Sequence, residues 1–345
     1  MSKTSVRIAL IGLDRMTGSI GLALREHAQD VKSTLAFHIV GQDGEKRIME
    51  SARHFGCVDE TESNTRTAVK NADIVFVSLL PGVLTDVYEF FAPSLKPGAV
   101  VLDMSTSKQP VLEIVNQHFP RDANGKLTAY LVGIQPLVNN AHLFEPVHTI
   151  EAVDAKLFEG SEMIVAPATD CPEEAIKLAT DVADILGMKP WFLVPEEYDA
   201  LAAYTANLPA LLAMTLFATI QASRGHNDLA RTINPEFALM LNSLHRYEGQ
   251  DLRAIWLNNR DASLQRIDEM IGVLNNLRKL LSQEDDKEAG KFFNSILEDF
   301  EKWQFKREKR KWEEEHDPLA GYGAGTFLAG LFGFGGRRSG AQDKK

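Results

Sequence analysis

The sequence predicts an α/β protein: a doubly wound parallel sheet followed by an all-α region. Three observations carry this prediction. The mostly apolar run at residues 6–11 leads into Gly12-Leu13-Asp14-Arg15-Met16-Thr17-Gly18-Ser19, which has the place of a phosphate-binding turn between a strand and its helix. Short apolar runs then alternate with amphipathic segments as far as Val194, the pattern of parallel strands joined by helices. Beyond Glu196 only helical periodicity remains.

Taken in order, residues 6–11 read as a strand and 18–27 as its helix. Residues 37–43 form a second strand with Asp43 at its tip, and 45–55 a helix. Residues 72–80 make a strongly apolar strand, 84–95 a helix, and Pro97-Gly98 turns the chain into a buried strand at 99–104. A helix at 111–118, strands at 129–134 and 163–166, a helix at 172–186 and a strand at 191–194 complete the sheet region. Residues 200–223 carry no charge and are long enough to cross a bilayer. Asn207, Pro209, Gln221 and three threonines interrupt them, so they read instead as a helix buried between helices or in a subunit interface. Leu264, Ile267, Ile271, Leu274, Leu277 and Leu281 keep helical spacing. A charged helix over 302–315 ends at Asp317-Pro318, and residues 319–336 form a Gly- and Phe-rich tail. The tail reads as disordered, with docking on a partner or a membrane surface as the sharper alternative. The expected organisation is a dinucleotide-binding domain at 1–196, a helical dimerisation and substrate domain at 197–312, and a helix end with tail at 313–345.

Composition narrows the function. A chain of 345 residues that is 44% hydrophobic buries a sizeable core. Its formal net charge of −11 argues against nonspecific nucleic-acid binding, which needs clustered Lys and Arg. Cys57 and Cys171 are too few for a disulfide framework and lack metal-ligand spacing, so a reducing cytoplasm is the expected home.

The loop itself departs from pattern. In a dinucleotide turn, three spaced glycines let the chain turn tightly, bring backbone N–H groups to the pyrophosphate and seat the helix on its strand. Only the first, Gly12, stands here; Asp14 takes the place of closest approach and Thr17 that of helix packing. A carboxylate about 4 Å from a phosphate charge costs roughly 4 kcal/mol at an effective dielectric of about 20, or about a thousandfold in affinity. Arg15 is expected to offset a similar amount by folding over the phosphates, while Gly18 and the helix N-terminus offer backbone donors. Asp43 sits where an acid holds the adenosine ribose and repels a 2′-phosphate, which favours NAD over NADP; it also reads as the start of an Asp43-Gly44 turn. The candidate cofactor contacts are Gly12, Leu13, Arg15, Met16, Thr17, Gly18 and Asp43, with Leu79 and Leu80 at the end of the 72–80 strand.

Several stretches resemble the prephenate dehydrogenase family, from about Val6 to Leu281. They are Ala72-Asp73-Ile74-Val75-Phe76-Val77, the run from Leu95 to Asp103, Ser107-Lys108, Gly133 with Pro136, Leu157-Phe158-Glu159-Gly160, Asn207-Leu208-Pro209 and Asn259-Arg260-Asp261-Ala262. The resemblance implies a Rossmann-type domain, a helical domain through which two subunits intertwine, and oxidative decarboxylation of prephenate or arogenate with NAD(P). The family's Gly-x-His-Pro segment, whose histidine takes the proton of the substrate hydroxyl, reads here Gly133-Ile134-Gln135-Pro136. A glutamine amide hydrogen-bonds a hydroxyl but is no base near neutral pH. Loss of such a base commonly costs about a hundredfold to ten-thousandfold in rate. The family's Ser-His-Leu-Pro-His reads Ala206-Asn207-Leu208-Pro209-Ala210, and its assisting serine reads Thr106. Its substrate arginines fall near Ala238-Leu239-Met240, with Arg231, Arg246 and Arg253 within reach of a shift in alignment. Thr106, Gln135 and Asn207 are therefore the catalytic-site candidates. His142, Glu145 and His148 follow Gln135 as a possible proton relay or weak metal site; no third ligand is fixed, and no metal is assigned.

Two function classes remain open. The first is an NAD(P)-dependent oxidoreductase of prephenate dehydrogenase type acting on a small carboxylic acid as a homodimer. The second is a non-catalytic dimeric scaffold or ligand sensor that keeps the fold. A 3-hydroxy-acid dehydrogenase ranks last, because the 200–221 helix holds no lysine.

Overall fold

In a computed structural model the structure describes residues 3–145, 147–283, 286–310 and 312; the expected 313–345 tail lies outside them. The chain divides into two compact units, Met1–Ser263 and Leu264–Lys345. The first is built on an eight-stranded sheet ordered β3-β2-β1-β4-β5-β6-β7-β8. Its strands are β1 (Thr4–Ile11), β2 (Leu35–Gln42), β3 (Glu60–Thr61), β4 (Ile74–Val77), β5 (Val100–Asp103), β6 (Tyr130–Pro136), β7 (Glu162–Pro167) and β8 (Lys189–Phe192). Helices α1 (Arg15–Gln29), α2 (Lys46–His54), α3 (Thr65–Val69), α4 (Leu84–Phe91), α5 (Gln109–His118) and α6 (Glu173–Ile185) connect them.

Alternation of side chains explains why the central strands read as unbroken apolar runs. Ile74 and Phe76 of β4 join one core cluster with Ile8, Leu10 and Leu102, while Val75 and Val77 join the opposite cluster with Ala9, Ile11 and Val101. Both faces of the sheet are therefore buried, as parallel sheets require. Each such side chain contributes roughly 1.5–3 kcal/mol on leaving water. The strand order reverses between β1 and β4, so the crevice at their carboxyl ends is the topological switch point.

Three features differ from the sequence expectation. The β6–β7 pair is antiparallel, with Gln135 opposite Ile164, so the parallel run stops at β6. The short β3 and α3 carry too few residues for a periodic signal. Helix α1 also starts at Arg15 rather than Gly18, because Asp14 caps it.

From Pro195 onward every described regular element is helical. Helix α7 (Pro195–Ala202) runs through a π-helical turn at Ala203–Asn207 into α8 (Leu208–Gln221). The short helices α9 (His226–Arg231) and α10 (Pro235–Leu241) and helix α11 (Gly249–Asn258) follow, then α12 (Arg260–Ser282) and α13 (Asp286–Lys309). The expectation that the uncharged helix is buried is not met within one chain. Only 28% of the most apolar window in the Pro195–Gln221 segment is covered, and Leu201, Tyr204 and Phe217 are exposed.

Gly12 is the position that fixes the β1 to α1 turn. Its φ of 80° lies in the left-handed region, and a Cβ there would stand 2.0 Å from the Ser78 carbonyl oxygen. Gly12→Ala is expected to destabilise the chain by at least about 2 kcal/mol. Urea unfolding followed by far-UV circular dichroism measures the loss.

Candidate functional site

The turn after β1 has its backbone donors engaged by the chain itself. Gly12 N–H donates to the Gln42 carbonyl at 2.9 Å and Leu13 N–H to Asp43 Oδ2 at 2.9 Å. Asp14 N–H donates to Thr17 Oγ1 at 3.0 Å, and Thr17 N–H returns to Asp14 Oδ1 at 2.9 Å, closing a capping box. Arg15 N–H donates to the His148 carbonyl at 3.0 Å. The second oxygen of Asp14 accepts from the Ser78 hydroxyl at 2.8 Å, so this carboxylate ties the end of β1 to the end of β4. A dinucleotide draws on these same donors for its pyrophosphate.

Arg15 is buried, but it does not point at an open phosphate site. Its guanidinium pairs with Glu145, contacts His142 Nδ1 at 3.3 Å and donates to the Val147 carbonyl at 3.4 Å. His142 reaches Asp154 Oδ2 at 3.3 Å through its other nitrogen. The expected compensation of Asp14 by Arg15 is thus replaced by a pairing of Arg15 with acceptors from the segment after β6. His142 and Glu145 do meet, around Arg15, and no group of three or more metal-ligating side chains suits a metal ion among the described residues. Gly18 seats this segment: a Cβ on it would lie 2.5 Å from Val153 Cγ1 and 2.6 Å from Ile150 Cδ1. Thr17 is fully buried, while Met16 packs against the core cluster below the sheet.

Asp43 lies at the end of the crevice next to β2. Asp43 follows β2 with its Oδ1 accepting from Glu45 N–H at 2.9 Å. Burial raises its carboxyl above the ordinary aspartate range, against the pull of the Leu13 and Glu45 amides. Leu79 and Leu80, partly buried, follow β4, and Leu79 approaches Gly12. The next residues, Pro81-Gly82, meet α11: Gly82 N–H donates to Asp251 Oδ1 at 3.0 Å, and Asp251 Oδ2 caps its own helix through Glu248 N–H at 2.8 Å.

A second cluster gathers at the carboxyl ends of β5 and β6. Lys108 is 2% exposed, and its ammonium donates to the carbonyls of Asp103, Ser105 and Ile134 at 2.8, 2.8 and 2.9 Å. Asp103 is fully buried 3.5 Å from that ammonium, and its carboxylate also accepts from Tyr88 OH at 2.7 Å and from the Ser105 hydroxyl. Desolvation lowers the Lys108 pKa, and Asp103 opposes that shift. The ammonium lies 4.8 Å from the Tyr198 ring centroid, and Tyr198 OH donates to Gln135 Oε1 at 3.2 Å. Burial raises the Tyr198 pKa, so the phenol remains a donor. Gln135 Nε2 donates to the Pro136 carbonyl at 3.2 Å. Asn207 is 3% exposed at the end of the π-helical turn, with a buried Nδ2 that has no hydrogen-bond partner in the structure. Thr106 is half-buried between Ser105 and Ser107.

Sequence reasoning missed Tyr198, Asp199 and Ser78. Asp199 holds the N-terminus of α5, accepting from Lys108 N–H at 2.6 Å and Gln109 N–H at 3.1 Å. Asn259, noted in the sequence, anchors the same residue by donating to the Asp199 carbonyl at 3.0 Å. No spacing rule links positions 108, 135 and 198; only the sheet joins them. Of the three arginines considered, Arg246 approaches the crevice closely enough to help lower the His148 pKa, behind burial and against Asp14. Arg231 and Arg253 lie exposed on α9 and α11.

The chain is similar to known proteins over most of its length. A family model described as "Prephenate dehydrogenase, nucleotide-binding domain" matches residues 20–190, beginning just past the β1 turn. The cyclohexadienyl dehydrogenase of Zymomonas mobilis is 23% identical over 290 residues, covering 81% of this chain and 89% of that protein. The prephenate dehydrogenase of Bacillus subtilis is 22% identical over 300 residues, covering 86% and 75% respectively. Among solved structures, the prephenate dehydrogenase from A. aeolicus in complex with hydroxyphenyl propionate and NAD+ superposes with a TM-score of 0.69 at 20% identity, over 88% of this chain and 99% of that one. Synechocystis arogenate dehydrogenase gives 0.61 at 18% identity, over 86% and 100%. These superpositions establish the Rossmann-type fold.

Two outcomes test this geometry. Lys108→Met leaves three carbonyls and Asp103 without their buried cation, and is expected to cost about 3–5 kcal/mol of stability by urea denaturation. Asp43 binds its proton more tightly folded than unfolded. Its contribution to stability is therefore whole below the ordinary aspartate value of about 4 and is lost as pH rises through the raised folded value. A carbon-13 titration of the Asp43 carboxyl is expected to show a midpoint above that value.

Proposed function

From the chain's membership of the prephenate dehydrogenase family, we propose that it is an NAD-type oxidoreductase acting on a small carboxylic acid of the prephenate or arogenate kind. The observation that carries this reading is the convergence of Gln135, Tyr198 and the Lys108 cage at the carboxyl ends of β5 and β6. Ligands of doubly wound folds bind at that end of the sheet. Bound dinucleotide would supply the hydride acceptor; its ribose would meet Asp43, which favours NAD over NADP.

The protein's own groups would then orient the acid. Tyr198 holds the Gln135 oxygen, so Gln135 presents an N–H to an oxygen of the substrate. If Gln135 stands where the resemblance puts the family's histidine, it gives no general base, and turnover is then expected to run about a hundredfold or more below a base-assisted reaction. Asn207 offers its unpaired buried amide as a second donor, and Thr106 a hydroxyl.

A second reading, a non-catalytic dimeric scaffold or ligand sensor, is favoured by the engagement of the turn's donors within the chain. Spectrophotometry at 340 nm separates the two. Slow NAD reduction with prephenate or arogenate, reduced at least about tenfold by Gln135→Ala, supports the oxidoreductase. NADH fluorescence unchanged at millimolar protein and cofactor, with no turnover, leaves the scaffold.

The homodimer belongs to the same proposal. Phe293, Ile296, Leu297 and Phe300 form one stripe on α13, and each is at least 44% exposed in the single chain. Such a stripe needs an apolar partner, and a second copy fits it. Light scattering is expected to give twice the chain mass, with Phe300→Asp shifting the chain toward monomer.

A further inference from the structure

The crevice between β1 and β4 is bridged by one side chain. Asp14 lies with Oδ1 on Thr17 N–H at 2.9 Å and Oδ2 on the Ser78 hydroxyl at 2.8 Å. These donors come from the N-terminus of α1 and from the carboxyl end of β4, the two walls between which a pyrophosphate passes at a switch point. Thr17 Oγ1 stands 3.2 Å from the carboxylate, and its hydroxyl donates to the Gly12 carbonyl at 2.8 Å. The cation that would neutralise an added phosphate, Arg15, is paired with Glu145. At the tip of β2 the Asp43 carboxylate is held by the Leu13 and Glu45 amides, away from the α1 N-terminus where a pyrophosphate would sit.

We propose that Asp14 is the specificity-determining residue of this crevice, an internal anion that takes the pyrophosphate's place and makes the site prefer the nucleoside end of a dinucleotide to its phosphates. The proposal rests on the NAD-type reading above and adds to it which part of the ligand the crevice resists. A dinucleotide that enters must share the α1 N-terminus with a carboxylate, and the repulsion acts on its phosphates alone. Adenosine carries no charge there and is indifferent to it.

Isothermal calorimetry with NAD and with adenosine tests this on the full chain and on two neutral variants, Asp14→Ser and Asp14→Asn. Both keep a side-chain oxygen for the Thr17 N–H, so the helix cap and the fold survive. Each variant is expected to bind NAD at least about tenfold more tightly than the parent chain, less than the full charge–charge figure because Asp14 is partly exposed. Adenosine affinity is expected to change by less than about twofold, and the NAD difference to shrink as salt rises from about 0.05 to 0.5 M. Variants that bind NAD no better than the parent overturn the proposal; if the parent itself binds NAD, the oxidoreductase reading survives that failure. If neither parent nor variants bind NAD at millimolar concentration, both fall. NAD binding by the variants alone upholds the role of Asp14 and removes the cofactor from the native chain.

Discussion

The buried ammonium of Lys108 is the interaction on which the site depends. It draws the carbonyls of Asp103, Ser105 and Ile134 to one point, and so locks the carboxyl end of β5 to that of β6. Taking an ammonium out of water costs several kcal/mol after relaxation, and only a complete set of partners offsets it. Three carbonyls, the Asp103 carboxylate and the Tyr198 ring make up that set. Tyr198 is thereby held over the cation, and its hydroxyl in turn fixes the Gln135 amide. Asp199, one residue on, caps α5 at Lys108 itself, so the entry of the chain into its helical part is tied to the same point.

The two ends of the crevice are held by opposite electrostatics. Around Lys108 a cation is surrounded by acceptors, and its carboxylate partner is fully buried. At the β1 turn an anion, Asp14, is surrounded by donors from α1 and β4. Both arrangements satisfy their charge internally. A ligand phosphate would compete with Asp14 for its donors, whereas near Lys108 the buried Asn207 Nδ2 has no hydrogen-bond partner. The helical stretch from Pro195 to Gln221 shows a related asymmetry: its beginning is anchored through Tyr198 and Asp199, while most of its apolar surface is not buried within the chain.

Local chemistry decided much of the structure. Residues 8–11 and 99–102 are apolar because both faces of a parallel strand are buried, and Gly12 must be glycine because the Ser78 carbonyl leaves no room for a Cβ. Asp43 falls at the tip of its strand because strand and turn signals are both local. The sequence alone therefore determined the order of the strands and helices other than β3 and α3, the turn after β1, the acid at the end of β2 and the change to helix after Glu196. Tertiary structure decided what those residues do. Asp14 caps its helix and bridges to Ser78, Arg15 turns to Glu145, Tyr198 meets Gln135 and Asp199 meets Lys108, across separations of 64, 130, 63 and 91 residues. Periodicity and propensity act over a few residues, whereas these pairings arise only when the sheet sets distant strand ends side by side. The partner of a charged side chain is then chosen by geometry that no local pattern encodes.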